Sequence, residues 1–216
     1  MQSVNECFHK VKTDCFKYID SQETKTTKFK NKAKMLRSYL IPLCFWIIDQ
    51  KKNKSKTLIL GLSGGQGSGK TTITSIISII LKKYFNKKIF VISIDDFYKT
   101  IKERYKLSQN IHPLLQTRGV PGTHDVSSMF SFFKRVKSKN FRALKLPKFN
   151  KAIDDRYNKK LWHSIKKKPD IIIFEGWCVG ARAEKNNSLK KAINSLERNS
   201  DKKLIWRKFV NQQLKL

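Results

Sequence analysis

The chain has 216 residues, enough for one α/β domain with a substantial core, and its 39% hydrophobic and 11% aromatic content predicts a folded protein. The net charge is +31, which suggests a nucleic-acid or anionic-membrane partner. Only nine of the 47 basic residues are Arg, and the lysines are spread along the chain without interleaved aromatic residues. We therefore favour a solvated basic surface that attracts an anionic substrate, and we expect no specific nucleic-acid partner.

The four cysteines show no CxxC motif and no metal-ligand spacing, which predicts reduced thiols in a cytoplasmic protein. The longest apolar run, Tyr39–Ile48, contains a proline and is too short to cross a bilayer. The N-terminus lacks the hydrophobic region of a signal peptide. We expect no membrane partner, and the sequence leaves the oligomeric state open.

The N-terminal part of the chain predicts two helices. Apolar residues recur at helical spacing over residues 1–20, namely Val4, Phe8, Val11, Cys15 and Tyr18. A second helix is predicted from Ala33 to about Gln50, with Pro42 as a candidate kink. We predict that residues 1–55 form a helical extension that packs on a core domain built by residues 56–216.

The segment GGQGSGKT, residues 64–71, is the most informative motif of the chain. Backbone N–H groups can wrap a polyphosphate only where side chains do not hold the backbone away, and the glycines at 64, 65, 67 and 69 allow that approach. An apolar strand, Leu58–Ser63, precedes the loop, and a helix with apolar residues at helical spacing, Thr71–Phe85, follows it. The alternative is a chance glycine-rich turn. The predicted nucleotide-binding residues are Gly64, Gly65, Gln66, Gly67, Ser68, Gly69, Lys70, Thr71 and Thr72.

The remaining elements alternate between strands and helices. In chain order we predict a strand at Lys88–Ile94, a short helix from Ile101, a loop at 113–125, a helix at 126–138, a short edge strand at Ala143–Phe149, a buried strand at Asp170–Trp177, and helices near Ser188–Glu197 and Lys203–Leu214. This order predicts an α/β fold in which helices cover both faces of a parallel sheet. Ligands of such sheets bind beyond the carboxyl ends of the strands.

Three predicted strands end in residues that suit phosphoryl transfer. Lys70 can reach the β- and γ-phosphates, Thr71 and Glu175 can hold Mg²⁺, and Asp95 can accept the proton of a substrate hydroxyl. Asp95 could instead cap a helix, and Glu175 could be a buried structural acid. The segments NKxD and DxxG, which read guanine and switch on GTP, do not follow the loop, so ATP is the predicted nucleotide.

Four further polar residues are candidates for binding a small acceptor. Arg118 and Arg156 could clamp an anionic group, because a guanidinium matches a carboxylate bidentately. His124 and Asp125 could form hydrogen bonds with hydroxyl groups. Each of the four could instead brace a loop or lie on the surface.

Five segments, in this order, resemble the D-glycerate 3-kinase group of P-loop kinases, which is related to phosphoribulokinase, uridine kinase and bacterial-type pantothenate kinase. They are GLSGGQGSGKTT, SIDDFY, LLQTRGVPGTHD, PKFNKAIDDR and FEGWCVGAR. The resemblance implies a P-loop NTPase-type sheet with ATP and Mg²⁺ as cofactors. It also implies that Asp95 is the base and Glu175 the acid of the metal site. It places Arg118, His124, Asp125 and Arg156 in acceptor-site segments.

The resemblance implies transfer of the γ-phosphoryl group of ATP to a hydroxyl of a small acid, with D-glycerate giving 3-phosphoglycerate. Family members usually continue beyond the segment IWRKFVNQQLKL, whereas this chain stops at Leu216. One alternative is therefore a truncated nucleotide-binding protein without kinase activity. Another is a kinase of the same scaffold for a nucleoside, pantothenate or a sugar phosphate.

Overall fold

The computed structural model describes residues 2–52 and 55–215. Its α-helices are α1 (Gln2–Ser21), α2 (Lys32–Met35), α3 (Ile41–Lys52), α4 (Lys70–Lys83), α5 (Ile101–Asn110), α6 (Val126–Lys137), α7 (Ser195–Ser200) and α8 (Ile205–Gln213). A π-helical segment, Leu36–Leu40, joins α2 to α3. Short 3₁₀ helices cover Ile94–Phe97, Pro113–Leu115, Lys159–Leu161 and Ser188–Lys190.

The strands form one three-stranded sheet and two small antiparallel pairs. They are β1 (Leu58–Ser63), β2 (Ile89–Ser93), β3 (Leu144–Leu146), β4 (Phe149–Asn150), β5 (Asp155–Arg156), β6 (His163–Ile165) and β7 (Ile171–Gly176). The larger sheet has the order β1-β7-β2, while β3 pairs with β6 and β4 pairs with β5.

The buried strand β7 lies in the middle of the larger sheet and runs parallel to β1. Their register starts with Leu58 opposite Ile171 and ends with Ser63 opposite Gly176. The four apolar residues from Ile171 to Phe174 are all buried, as expected for a central strand covered on both faces. The α/β fold with a parallel sheet flanked by helices is therefore confirmed.

The chain divides into two compact units. The first contains the residues up to Ile92 together with Val136–Arg142 and Lys167–Trp177. The second contains Ser93–Arg135, Ala143–Lys166 and the residues from Cys178 onward. The boundary between residues 55 and 56 that the sequence suggests remains a prediction.

The core of the first unit joins the N-terminal helices to the sheet. Helix α1 buries one face completely, and this face packs in one cluster with residues of α3, α4 and β7. The fully buried residues of that face are Cys7, Val11, Cys15 and Ile19. The spacing of four residues along α1 brings them to one side of the helix.

The second predicted helix runs without a gap from Lys32 to Lys52 but contains a π-helical turn, and Pro42 gives the physical reason. A proline inside a helix has no N–H, and its ring collides with the carbonyl group four residues earlier. Here the chain widens into a π-helical turn just before Pro42, and the N–H of Ile41 donates to the oxygen of Leu36. The single predicted helix therefore becomes α2, the π segment and α3.

The second unit also corrects a predicted helix. The stretch Ser188–Glu197 contains a 3₁₀ turn and then the start of α7, with non-helical residues between them. Asn194 has extended backbone angles, and its side chain accepts a hydrogen bond of 2.8 Å from the N–H of Glu197. Because this is the geometry of an N-cap, a new helix begins at Ser195.

All four cysteines are free thiols. Cys7, Cys15 and Cys44 are buried, and Cys178 is half-buried. Burial raises the pKa of the Cys7 thiol to about 11 and that of Cys15 to about 12. The thiols of the N-terminal helices therefore stay protonated and act as small apolar core groups.

None of the helices formed by the described residues combines the length and the apolar character that crossing a bilayer requires.

Candidate active site

The glycine loop connects β1 to α4, as the sequence predicts. Gly67 and Gly69 have φ angles of 75° and 81°, and Gly69 occupies the N-cap position of α4. Only glycine adopts this left-handed conformation freely. At Gly64 the constraint is one of space, because a Cβ atom there would lie 2.8 Å from Ser68 Oγ and that hydroxyl would have to move. Gly65 shows neither constraint. The expectation that all four glycines of the loop allow unusual dihedral angles therefore holds for Gly67 and Gly69 but not for Gly65.

Lys70 bends back across the loop that precedes it. Its Nζ atom donates a hydrogen bond of 2.7 Å to the carbonyl oxygen of Gly65. The side chain is thus held over the loop by a neutral carbonyl group, which a phosphate oxygen would outcompete as a partner for an ammonium group. The loop residues from Gly65 to Gly69 are exposed, so an anion can reach their N–H groups.

Glu175 lies on the strand next to the start of the glycine loop. It is opposite Leu62 in the β1–β7 register, and the N–H of Gly64 donates to the carbonyl of the following residue, Gly176, at 3.4 Å. Strand β7 continues through Gly176, so Glu175 is the second-last residue of the strand, inside the predicted range Asp170–Trp177. Thr71 is exposed in the first turn of α4.

Thr71 and Glu175 carry oxygen atoms of the kind that a magnesium ion binds. Within residues 2–52 and 55–215, no group of three or more His, Cys, Asp and Glu side chains is arranged to hold a metal. Mg²⁺ often takes only one or two oxygen ligands from the protein and completes its shell with waters and substrate phosphates. The Thr71 hydroxyl at the start of α4 and the Glu175 carboxylate on β7 are ligands of that kind.

Asp95 lies in the second unit, in the 3₁₀ helix that follows β2. Strand β2 ends at Ser93, one residue earlier than predicted, and the Ser93 hydroxyl accepts a bond of 3.3 Å from the N–H of Asp95. Ser93, and not Asp95, is therefore the cap of this helix. The Asp95 carboxylate forms an ion pair of 2.7 Å with Nζ of Lys151, an exposed side chain that the sequence analysis did not single out.

The neighbouring Asp96 has a bracing role. Its Oδ1 atom accepts a hydrogen bond of 3.2 Å from the N–H of Phe149, and its Oδ2 atom lies 3.1 Å from Nε2 of His163. These contacts tie the 3₁₀ helix to β4 and β6. The two adjacent acids therefore differ in their contacts, and Asp95 is the one paired with an exposed cation.

His124 is buried against Tyr98, and the two residues form an antiparallel bridge. Their rings stack with centroids 4.3 Å apart. Burial, together with the charge of Lys99, lowers the pKa of His124 to about 4 against the opposing effect of Asp95. Its Nε2 atom is buried and makes no hydrogen bond with the described residues. The structure thus presents a neutral imidazole with an unused polar atom.

Asp125 caps helix α6. Its Oδ1 atom accepts bonds from Ser127 Oγ at 2.9 Å and from the N–H of Ser128 at 3.0 Å. Its Oδ2 atom accepts from Ser128 Oγ at 2.7 Å and from Arg156 Nη2 at 3.1 Å. Burial opposes ionisation, but these donors outweigh it and lower the pKa of Asp125 to about 2. Both oxygens are therefore already engaged.

The two predicted clamp arginines are engaged differently. Arg156 donates from Nε to the carbonyl of Tyr98 at 2.8 Å and from Nη2 to Asp125. Arg118 donates from Nη1 to Asp154 Oδ1, and its guanidinium lies 5.6 Å from the centre of the Phe149 ring. Arg118 keeps more of its donor groups available than Arg156 does.

Arg104 is the most important residue that sequence reasoning missed. Its side chain is fully buried, and it donates to the carbonyl oxygens of Lys99, Gln116 and Asp154. An arginine on a helix of low hydrophobicity carries no local sign of burial. One signal in the sequence was that Arg104 is an arginine, whereas the nearby basic residues Lys99, Lys102 and Lys106 are lysines. Arginine suits buried hydrogen bonds better than lysine does.

Comparisons with known proteins find relatives that are named as kinases. No protein-family model matches it. An uncharacterized kinase, mug58, of Schizosaccharomyces pombe is 32% identical over 173 residues, covering 76% of this chain and 61% of the relative. The chloroplastic D-glycerate 3-kinase of Arabidopsis thaliana is 30% identical, covering 75% of this chain and 39% of the relative. The chain thus spans less than two thirds of the length of these relatives.

A solved structure supports the same fold. The D-glycerate 3-kinase of Cryptococcus neoformans superimposes with a TM-score of 0.65 at 24% sequence identity, over 82% of this chain and 67% of that chain. The resemblance that the motifs predict is confirmed by these comparisons.

Proposed function

Because the chain is a relative of the D-glycerate 3-kinase-like P-loop kinases, we propose that it transfers the γ-phosphoryl group of ATP to a hydroxyl of a small acid, D-glycerate. The product of that reaction is 3-phosphoglycerate. The observation that carries the proposal is the exposed glycine loop between β1 and α4, with Lys70 folded over it. A loop of this form binds the phosphates of a nucleotide through backbone N–H groups.

Residues 64–72 bind the nucleotide. The N–H groups of the loop point their partial positive charge at the phosphates, and the N-terminal end of α4 adds to that charge. Lys70 releases the Gly65 carbonyl and binds the β- and γ-phosphates. Thr71 and Glu175 would hold Mg²⁺, which neutralises phosphate charge when it is bound.

The chemical step forms one P–O bond and breaks another. The acceptor hydroxyl oxygen attacks the γ-phosphorus, its proton passes to the Asp95 carboxylate, and the bond from the γ-phosphorus to the bridging oxygen breaks to release ADP. Lys70 balances the charge on the transferred group. For Asp95 to act as the base, its ion pair with Lys151 must open or shift, and the exposed position of Lys151 leaves it free to do so.

The assignment of D-glycerate rests on relatives and on the cationic groups of the second unit. The Arabidopsis relative is named a D-glycerate 3-kinase, whereas other relatives are named uridine kinase and pantothenate kinase. Arg118 and His124 offer a charged donor and a neutral polar atom, which suit a carboxylate and a hydroxyl. A nucleoside, pantothenate or sugar phosphate acceptor is the main alternative. The cytoplasmic location stays a proposal.

A coupled assay of ADP release tests the proposal. The protein is incubated with ATP, Mg²⁺ and D-glycerate, and in parallel with uridine, pantothenate and a sugar phosphate. We expect turnover that depends on D-glycerate and is abolished by Lys70→Ala. Asp95→Asn should lower kcat far more than it changes ATP affinity. ATP binding without turnover of any acceptor would contradict the kinase assignment and favour a nucleotide-binding protein without this activity.

A further inference from the structure

Three arginines of the second unit differ in how fully their donors are used. Arg104 is fully buried, and its Nε, Nη1 and Nη2 atoms donate to the carbonyl oxygens of Lys99 at 3.2 Å, Gln116 at 2.8 Å and Asp154 at 2.5 Å. An arginine with all its nitrogen atoms bound to the backbone is a structural centre, because breaking any bond would leave a buried polar group unpaired.

Arg156 is also committed to the fold. It bonds to the Tyr98 carbonyl and to Asp125, which in turn caps α6, and only 14% of its side chain is exposed. To bind an acceptor through Nη2, Arg156 would have to break its ion pair with Asp125. The Asp125 carboxylate is held in place by three further donors from Ser127 and Ser128. The contacts of Arg156 therefore indicate that it braces Tyr98 and Asp125.

Asp154 links the buried arginine to the exposed one. Its Oδ2 atom is 2.9 Å from Nη2 of Arg104, and its Oδ1 atom accepts from Nη1 of Arg118. Its φ angle is 55°, so its backbone adopts a left-handed conformation that few residues other than glycine, Asn and Asp take readily. Burial opposes ionisation, but Arg104 and Arg118 outweigh it and hold the pKa of Asp154 below its ordinary value.

Arg118 has the freest guanidinium of the three. About a third of its side chain is exposed, at 30%, and its one hydrogen bond to the described residues runs from Nη1 to Asp154. Its guanidinium also packs over the Phe149 ring. One edge of the group is thus anchored by charge and one face by an aromatic ring. The Nε and Nη2 donors remain available for a second anion.

We propose that Arg118 is the one arginine of these three that binds the anionic group of the acceptor, and that Asp154, fixed by Arg104, is its positioning residue. The inference rests on the proposed function and deepens it, because a single free guanidinium edge selects an acceptor with one planar anionic group, such as a carboxylate. Without Asp154 the long side chain would have to be ordered by the acceptor itself, and that ordering weakens binding.

The test uses Asp154→Asn. Asparagine tolerates the left-handed backbone and keeps the size of the side chain, so the turn is preserved while the charge that holds Arg118 is removed. Arg118→Ala removes the proposed contact itself. Asp49→Asn is the matched control, because it also neutralises one carboxylate in an ion pair, on the exposed face of α3. Thermal unfolding of each variant checks that the fold survives.

The primary readout is equilibrium binding of D-glycerate by titration calorimetry, with a non-hydrolysable ATP analogue at saturation. We expect Asp154→Asn to weaken binding about tenfold and Arg118→Ala by up to about a hundredfold, the range for a hydrogen bond to a charged group. The double variant should bind no more weakly than Arg118→Ala alone, since Asp154 acts through Arg118. The Asp49→Asn protein should bind like the unmodified one.

The outcomes separate this inference from the proposed function. If D-glycerate binds equally well to the unmodified protein and to Asp154→Asn, or if the effects of the two substitutions add, the positioning role is wrong. If D-glycerate binds and responds to both substitutions but is never phosphorylated, the inference stands and the kinase assignment falls. If the unmodified protein does not bind D-glycerate, the proposal of Arg118 as its anchor is overturned together with the acceptor.

Discussion

His124 has an environment far from that of a histidine in water. It is 3% exposed, it stacks on Tyr98, and its Nε2 atom has no hydrogen-bond partner among the described residues. A buried imidazole avoids protonation because the charged form would lose its hydration. The residue therefore stays neutral over the pH range in which most histidines change charge.

The first prediction concerns the titration of His124. The pKa of His124 falls from an ordinary 6.5 to about 4, so the unfolded chain binds a proton more readily between these values. Stability that this residue contributes is complete above pH 6.5 and is lost as the pH falls towards 4. NMR titration of the imidazole signals, assigned with His124→Gln, should give a midpoint near 4. A midpoint near 6.5 would show that the ring is not buried.

Asp125 gives a second prediction at the same scale. Asp125→Ala removes a helix cap and the partner of Arg156, so we expect a loss of about 1–3 kcal/mol in the free energy of unfolding at pH 7. The native pKa is about 2 and the ordinary value 3.8, so the contribution is present above pH 3.8 and fades as the pH falls through 2.

Urea unfolding at several pH values checks this prediction. The difference between the unmodified protein and Asp125→Ala should shrink as the medium becomes more acidic. Asp125→Asn is the matched control, because asparagine caps helices well but cannot form the ion pair. Equal losses for the two variants would show that the ion pair, and not the cap, carries the effect.

Some site residues can be predicted from the sequence because they belong to a local motif, whereas others are brought together only by the fold. Gly67, Gly69 and Lys70 stand in a fixed local pattern whose conformation depends on near neighbours. Arg104 and Asp154 are 50 residues apart, and the hydrogen bond between them exists only after the chain has folded. No local pattern predicts such a pair, and the roles of the site residues remain predictions.

At the scale of elements, the glycine loop shows two different reasons for a glycine, namely the space around a Cβ atom and the φ angle of the backbone. Gly65 and Gly69 are alike in having no atom within 4 Å of a Cβ added to them. They differ in backbone conformation, since only Gly69 has a positive φ angle, at 81°. The space available is therefore the same, and the dihedral angle alone distinguishes the two positions.

This difference predicts the outcome of a matched pair of alanine substitutions. Gly69→Ala should destabilise the nucleotide-free protein by about 1–2 kcal/mol, because an L-residue is strained in the left-handed region. Gly65→Ala should leave stability within about 0.5 kcal/mol. Chemical unfolding of both variants without nucleotide is the measurement. A Gly65→Ala protein as unstable as Gly69→Ala would show that the loop has another conformation.

Elements with strong periodicity were predicted well, and their interruptions were not. The strands β1 and β7 and the helices α1, α4, α5 and α6 lie where the sequence predicts them. The π segment before Pro42 and the break before Asn194 were missed or only suspected. The first involves a backbone hydrogen bond and the second a side-chain cap by Asn194, and apolar spacing contains no information about either bond.

At the scale of the whole molecule, the N-terminal helices share a core with α4 and β7 of the first unit. Ile19 of α1 is fully buried in the same cluster as Ile77 and Ile173. Removing α1 would expose apolar side chains of α4, the helix that follows the glycine loop, against which α1 packs. The stability of the first unit therefore depends on residues far in sequence from the glycine loop.

Ile19→Ala tests this dependence. We expect it to lower the free energy of unfolding by about 2–5 kcal/mol, the cost of deleting three buried carbon atoms and leaving a cavity. Ile193→Ala is the matched control, because the same substitution at a side chain that is 81% exposed should change stability by less than about 0.5 kcal/mol. Similar effects of the two substitutions, seen by urea unfolding, would mean that α1 is not part of the core.

Because the cysteines differ in burial, they can be labelled selectively by a thiol reagent. Cys7, Cys15 and Cys44 are sealed in the core of the first unit, while Cys178 is half-buried and close enough to Asp95 to feel its charge. A maleimide dye added to the native protein will attach first at Cys178, beside the proposed base, and will reach the other thiols only when the helices come apart. The number of dyes per molecule thereby reports on the integrity of the fold, and the dye itself becomes an optical reporter next to the reacting groups.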